Sequence, residues 1–296
     1  MIRFEKATPA NGVDGHITPD HPEVVVAPSE LPAPLFPEQP GFWNQFDAAV
    51  TCMAVMRGGA ERLNHTTILS PAFRQLGANT LAAGAELIRA EPATLLPTEA
   101  WRRVESPWRV IPGLDGNFIN RHILIEDLVG WAARKTGPSC FAAKWHFMVP
   151  RPEEVAFAVL NGDVDAPWWS RCALDAAFPD PGVILQDRRR FTRYPEGCPD
   201  HPSYPAMHAA CAGAQLAVIE AMFELTAQDA QNVRWAVHNK AYFRTWAGVH
   251  YPMDNLAGLW IGWETVRRSL PAKLVEYGAD PAAVAGLVPP MSAPVF

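Results

Sequence analysis

Apolar residues in this chain recur at the three- to four-residue spacing of an α-helix, and no stretch alternates apolar and polar residues as a half-buried strand would. From Phe42 to Arg57, for example, the large apolar side chains fall on one helical face, and Gly58-Gly59 follows as a stop signal. The same pattern predicts helices over 71–90, 120–135, 139–148, 207–225, 227–243 and 247–269, with short ones near 168–178 and 281–287. The sequence therefore predicts an all-α fold.

Proline divides the chain into an arm and a body. Residues 1–40 contain eight prolines and no helical pattern, which predicts an extended N-terminal arm. Residues 41–296 form the predicted helical body, which is long enough to enclose a continuous core and could be one large helical domain or two smaller ones. Within it, 161–206 is rich in proline and turn residues and predicts a long loop, a kind of segment that often carries function.

Charge and cysteine content exclude several classes of protein. The formal charge of −6 argues against general affinity for nucleic acid or anionic membrane, so any anion site has to be built locally. The five cysteines include no CxxC pair, which argues against a zinc or disulfide framework and favours a reducing, cytoplasmic location. No apolar run is long enough for a bilayer, and the N-terminal residues lack the apolar core of a secretory signal, so we expect a soluble chain.

The first segment that could bind a ligand or take part in a reaction runs from Lys144 to Arg151-Pro152. Seven residues separate the two cations, a spacing that predicts one helical face, with Pro150 and Pro152 fixing the backbone around the arginine. The residues between them are mostly aromatic or apolar, so both cations are expected to be partly buried. Buried like charges repel unless an anion lies between them. The alternative is a pair of cations at a helix end that reach into water.

The second segment is His201-Pro-Ser-Tyr-Pro-Ala-Met-His208. Its prolines predict an extended approach to a helix that begins near His208. A helix N-terminus offers free N–H groups and a positive dipole end to an anion, and His208 there can give or take a proton. The alternative is a histidine that is merely packed or solvated.

The third segment contains Arg244, His250 and Asp254, which converge if the helix bends near Gly248. His250 and Asp254 are four residues apart, so the carboxylate is expected to accept a hydrogen bond from one ring nitrogen. That bond fixes the tautomer and makes the other nitrogen a better nucleophile or ligand.

Together the three segments resemble the signature of the superfamily that joins vanadium-dependent haloperoxidases to type-2 phosphatidic acid phosphatases and bacterial class A acid phosphatases. That signature reads K-x6-R-P, P-S-G-H and S-R-x5-H-x3-D. The chain supplies, in the same order, Lys144, Arg151-Pro152, Pro205, His208, Arg244, His250 and Asp254. The resemblance covers about 140–258. It implies a single helical-bundle domain of the haloperoxidase and acid phosphatase type, with its motifs within about 140–270.

The resemblance also implies roles for individual residues. The cations that would hold the oxygens of vanadate, or of phosphate in the same site, are Lys144, Arg151 and Arg244. His250 corresponds to the vanadium ligand or the phosphatase nucleophile, His208 to the acid–base residue, and Asp254 to the residue that orients His250. Three fixed cations in a dry pocket stabilise either oxyanion, and five-coordinate vanadate mimics a phosphoryl-transfer transition state.

The sequence departs from the signature at two places. Ala206-Met207 replaces the family Ser-Gly before the histidine, and Phe243 replaces the serine before the arginine. A serine hydroxyl that would donate to the oxyanion is thereby lost, a change that can cost about 10²–10³ in rate. The backbone N–H of Met207 remains as a donor to the cofactor.

The leading hypothesis is a vanadium-dependent haloperoxidase that oxidises halide with hydrogen peroxide and halogenates a small organic acceptor. The soluble composition and the His-Pro-Ser-Tyr-Pro motif favour it, and His201 resembles a second histidine of bromide- and iodide-using members. The expected walls of the halide or substrate pocket are His201, Phe141 and Trp145. Two alternatives stay open: a soluble phosphatase acting through a phosphohistidine at His250, and a binding or structural protein that kept the pocket. Assembly of identical chains also stays open.

Overall fold

The computed structural model describes residues 17–58, 109–110, 118–192 and 198–290, and most of them are helical. The α-helices in these ranges are α1 (Pro40–Gly58), α2 (Phe118–Lys135), α3 (Gly137–Phe147), α4 (Pro152–Asn161), α5 (Trp168–Ala177), α6 (Gly182–Gln186), α7 (Met207–Met222), α8 (Ala227–Trp246) and α9 (Pro252–Glu276). Short 3₁₀ helices cover Pro28–Glu30, Arg188–Phe191 and Pro281–Val284. Two antiparallel strands of two residues each, β1 (Arg109–Val110) and β2 (Phe223–Glu224), are the extent of sheet in the described ranges. The prediction of an all-α fold is confirmed.

The helix boundaries follow the sequence pattern with several differences, among them that α8 ends at Trp246 rather than at 243 and α9 at Glu276 rather than at 269. The last long helix begins at Pro252 rather than at 247, because Gly248 adopts a left-handed conformation with φ of +77° and interrupts the backbone after α8. Helices α4 and α6 were not predicted, whereas α5 agrees with the short helix predicted near 168–178 within the loop expected over 161–206. The helix predicted over 71–90 lies outside the described residues.

Lys144 and Arg151 do not share a helical face, so that prediction is wrong. Helix α3 ends at Phe147, and Met148 follows in a left-handed conformation with φ of +56°. Arg151 is the N-cap residue of α4, whose first residue is Pro152. The two prolines cause this break, because proline lacks an N–H and disfavours helical backbone in the residue before it. The two cations therefore extend from the end of one helix and the start of the next.

Helices α7 and α9 form the centre of the fold and lie unusually close together. A Cβ atom on Gly258 would lie 2.4 Å from the main-chain oxygen of Ala206, and one on Gly262 would lie 1.8 Å from that of Ala210. Only glycine permits this approach, since it has no Cβ. The contact holds the N-terminus of α7 against α9 and so fixes the first turn in which His208 lies.

Apolar side chains form two buried clusters, and both include residues of this helix pair. One cluster joins α2, α7, α8 and α9, and the other joins α1, α3, α4, α5 and α6 with residues of the N-terminal segment. A separate feature of the described helices is that none is long and apolar enough to cross a lipid bilayer.

The N-terminal segment before α1 packs on the helical body. The backbone N–H groups of Val25 and Val26 donate to Ser139 Oγ at 3.0 and 3.1 Å. Arg268 of α9 donates to the Val25 carbonyl and to both carboxylate oxygens of Glu30. These contacts tie residues 25–30 to α3 and α9. The division of the chain into an arm and a domain at residue 40 stays a prediction.

Candidate active site

The loop from His201 to Ala206, which leads into α7, is held by the two cations of the first segment. Lys144 is fully buried, and its Nζ donates to the carbonyl oxygens of Pro202 and Ser203 at 2.8 and 3.0 Å. Arg151 Nε donates to the carbonyl of His201 at 3.1 Å. Main-chain oxygens thus offset part of the cost of burying two positive charges. The same bonds fix the position of the loop.

The Arg151 guanidinium also joins two histidines. Its Nη1 lies 2.7 Å from the Val249 carbonyl and 3.2 Å from His250 Nε2, and its Nη2 lies 2.9 Å from His201 Nδ1. Because a guanidinium can only donate, both ring nitrogens act as acceptors in these contacts. Burial lowers the pKa of His201 and of His250 well below the usual range, and the positive charges of Lys144 and Arg151 lower both further.

The third segment forms the predicted hydrogen bond. His250 Nδ1 lies 3.0 Å from Asp254 Oδ2, so the ring carries its proton on Nδ1 and leaves the Nε2 lone pair facing Arg151. The same Asp254 oxygen accepts from Ser203 Oγ at 2.5 Å and from the Tyr251 N–H at 3.0 Å. Complete burial raises the pKa of Asp254 to about 6, and the bonds from Ser203 and Tyr251 oppose that rise.

Ser203 is a site residue that sequence reasoning missed. Hydrogen bonds from Lys144 and Arg151 fix the loop that contains Ser203. In that position the Ser203 hydroxyl donates to Asp254, in the first turn of α9. A second hydrogen bond joins the end of this loop to α9, since the Ala206 N–H donates to the main-chain carbonyl oxygen of Asp254 at 2.9 Å. No spacing rule marks Ser203, which lies five residues before His208 rather than at the family serine position.

His208 lies in the first turn of α7 and is half-buried. Burial lowers its pKa well below the usual range, and the positive charges of Arg244, Lys240, Arg151 and Lys144 lower it further, in that order. Arg244, in the last turn of α8, is 1% exposed. The ring of His208 is therefore neutral when no anion is present, and it lies within electrostatic reach of every cation that the motifs predicted.

Lys240 is a second residue that sequence reasoning missed. It precedes Arg244 by one turn of α8, is 2% exposed, and donates from Nζ to Gln215 Oε1 of α7 at 3.1 Å. Burial lowers its pKa to about 7. The available signal was its spacing of four residues from Arg244, which places both on one helical face.

The residues predicted to line the pocket fall in different places. The ring of Phe141 meets His201 edge-on with centroids 5.5 Å apart, so these two form one wall. Met207 is half-buried, its side chain reaches toward Gly137, and its backbone N–H belongs to the first turn of α7. Trp145 is half-buried beside Lys144 on α3, and its place in the pocket stays a prediction.

The assembled groups suit an oxyanion with more than one negative charge. Buried cations, N–H groups of a helix N-terminus and an unprotonated imidazole nitrogen converge, and all of them attract or bind an anion. Within the described part of the chain, no cluster of three or more His, Cys, Asp or Glu could hold a bare metal ion. The donor set fits an oxyanion such as phosphate or vanadate, and His250 offers it an unprotonated Nε2.

An all-α fold that surrounds an oxyanion pocket with these three segments defines a recognisable class of protein. Residues 128–272 match the family model of the PAP2 superfamily. The helical region that carries the site therefore belongs to the PAP2 superfamily, which contains both phosphatases and haloperoxidases. A search of curated proteins returns no match to the chain.

Proposed function

We propose that this chain is a vanadium-dependent haloperoxidase that oxidises bromide or iodide with hydrogen peroxide and halogenates a small organic acceptor. The observation that carries the proposal is the position of His201. Its ring contacts both the Arg151 guanidinium and Phe141, and it is half-buried at the edge of the oxyanion pocket. A neutral, donor-capable ring beside a buried cation provides a place for a halide next to the reacting centre.

The reaction consumes one proton: halide, hydrogen peroxide and H⁺ give hypohalous acid and water, with halide oxidised by two electrons and peroxide reduced. Vanadate, held by Lys144, Arg151, Arg244 and His250, would supply a Lewis acid that activates the peroxide. The protein's own contribution is charge neutralisation by the buried cations and a fixed lone pair on His250 Nε2.

His208 is placed to manage the proton. Its ring is neutral in the surrounding positive field, and a bound anion offsets that field and so raises the pKa of the ring. Anion binding therefore lets His208 take up a proton and deliver it to a departing oxygen. The same residue would act as the general acid for any oxygen leaving group in this pocket.

A specific observation also favours the second candidate, a phosphatase. His250 donates its Nδ1–H to Asp254 and keeps Nε2 unprotonated beside the Arg151 guanidinium, and an unprotonated ring nitrogen is what a histidine nucleophile requires. Attack of Nε2 on phosphorus would form an N–P bond and break the P–O bond to the leaving group, which takes its proton from His208. Water would then cleave the phosphohistidine and release phosphate.

One pair of assays separates the candidates. Protein supplied with orthovanadate, hydrogen peroxide and bromide should brominate an indicator dye, and vanadate-free protein is tested in parallel for hydrolysis of p-nitrophenyl phosphate. His250→Ala should reduce either activity to background, whereas Lys273→Met, at the far end of α9, should change neither. Phosphate-ester hydrolysis without bromination would replace the haloperoxidase by the phosphatase. Silence in both assays with anion binding retained would indicate a binding protein.

A further inference from the structure

Helices α7 and α8 present a polar track inside the fold that the family signature does not describe. His208, Cys211 and Gln215 lie along one face of α7, at the three- and four-residue spacing that aligns side chains. Lys240 and Arg244 lie on the facing side of α8, which packs against α7. Lys240 adds a positive charge to the three cations of the family signature.

Lys240 is held in a defined place. Its side chain is 2% exposed, and its Nζ donates to Gln215 Oε1 at 3.1 Å. The charged or titratable groups that act on it include the Cys211 thiol, one turn before Gln215 on α7, and the Arg244 guanidinium. A long cationic side chain that is both buried and tethered is unusual, because Lys is seldom fully buried and loses side-chain entropy when it is.

The charge of Lys240 reaches into the oxyanion pocket. Lys240 precedes Arg244 by one turn of α8, and its partner Gln215 lies on the same face of α7 as His208. The positive charges of Arg244 and Lys240 both lower the pKa of the His208 ring. In a desolvated pocket such a charge acts at longer range than it would in water.

We propose that Lys240 is a fourth cation of the oxyanion pocket and that it gives the pocket a preference for dianions over monoanions. The inference rests on the proposed oxyanion-binding function. Lys240 determines charge specificity through the field that it adds beside His208 and Arg244. The interaction energy of a fixed charge with a ligand is proportional to the charge of the ligand, so a dianion gains twice as much from Lys240 as a monoanion.

The test compares two tetrahedral anions that neither candidate reaction consumes. Binding of sulfate and of methanesulfonate is measured by isothermal titration calorimetry at pH 6, where the Lys240 ammonium is protonated. Lys240→Met should weaken sulfate binding by about 10-fold and methanesulfonate binding by only about 3-fold, the square root of that factor. Lys240→Arg should restore the wild-type ratio, and the control Lys273→Met should leave both affinities unchanged.

A second variant keeps the lysine in place. Gln215→Glu puts a carboxylate where the amide oxygen now accepts from Lys240. The carboxylate offsets the positive charge of Lys240 while the lysine side chain stays in place. It should also weaken sulfate binding more than methanesulfonate binding. Far-ultraviolet circular dichroism of each variant establishes that it is folded.

The outcomes separate the inference from the proposed function. Equal losses for both anions would mean that Lys240 only maintains the shape of the pocket, and no loss would mean that its charge is not felt there. Either result overturns the inference. A wild-type protein that binds neither anion would overturn the oxyanion pocket itself, and the proposed function with it.

Discussion

Replacing Ser203 by alanine tests the least expected contact of the site. Ser203 Oγ donates to Asp254 Oδ2 at 2.5 Å, and both residues are fully buried. The Asp254 carboxylate is fully buried and accepts from Ser203, His250 and the Tyr251 N–H. The substitution removes the first of these three donors. We therefore expect Ser203→Ala to destabilise the protein most at pH values where Asp254 is ionised.

The size of the effect follows from the type of hydrogen bond. A bond to a charged group contributes about 1.5–3 kcal/mol, and a bond between neutral groups about 0.5–1.5 kcal/mol. Folding raises the pKa of Asp254 from 3.8 to about 6, so the stability linked to its protonation is fully present below pH 3.8 and lost as the pH rises through 6. The penalty of Ser203→Ala should thus be about 1 kcal/mol greater at pH 7.5 than at pH 5.

The same difference predicts a shift in activity. About 1 kcal/mol of lost carboxylate stabilisation raises the pKa of Asp254, which moves the acid limb of the rate profile to higher pH by about 0.7 pH unit. Urea unfolding at pH 5 and pH 7.5 measures the first effect, and a pH–rate profile measures the second. Tyr204→Phe is the matched control, since it removes a neighbouring hydroxyl that donates to the Pro32 carbonyl. A Ser203→Ala penalty that does not change with pH would refute the reasoning.

Two further predictions concern the frame around the site. Gly262→Ala places a Cβ 1.8 Å from the Ala210 carbonyl oxygen and should lower the free energy of unfolding by about 3 kcal/mol or more. The control Gly286→Ala, with open space around its Cβ, should be nearly neutral. Equal melting temperatures for the two variants would contradict the close approach of α7 and α9. Arg268→Ala breaks the ion pair with Glu30, in which both side chains are about one-third exposed, and a second pair with Glu264, which keeps Arg267 as a partner. It should cost about 1 kcal/mol and increase proteolysis of the N-terminal segment, and unchanged proteolysis would show that Arg268 does not hold the segment.

Much of the fold could be predicted because helical periodicity is local. The boundaries of α1, α2 and α7 follow directly from apolar spacing and from proline and glycine. The break between Lys144 and Arg151 was harder, because the seven-residue spacing fits one helical face. The two prolines end one helix and begin another, so a tertiary arrangement rather than helical spacing determines where the guanidinium lies.

The candidate site was predictable where its contacts follow from spacing along the chain. The bond between His250 and Asp254 needs only four residues of separation. Ser203 and Lys240 were not predictable in this way, because each reaches its partner across the fold. A serine in a loop and a lysine in a helix are usually solvated, and the spacing of Lys240 from Arg244 indicates a shared helical face but not burial. Their burial depends on how the 201–206 loop and α7 pack, and the sequence pattern does not specify that packing.

The most direct test of the oxyanion pocket is a crystal structure determined after soaking with orthovanadate. Anomalous scattering from vanadium locates the anion without reference to any assay. The account predicts one strong peak adjacent to His250 Nε2, within hydrogen-bonding reach of the Arg151 and Arg244 guanidinium groups through its oxygens. A peak away from these side chains, or an empty pocket in protein that is otherwise well ordered, would contradict it.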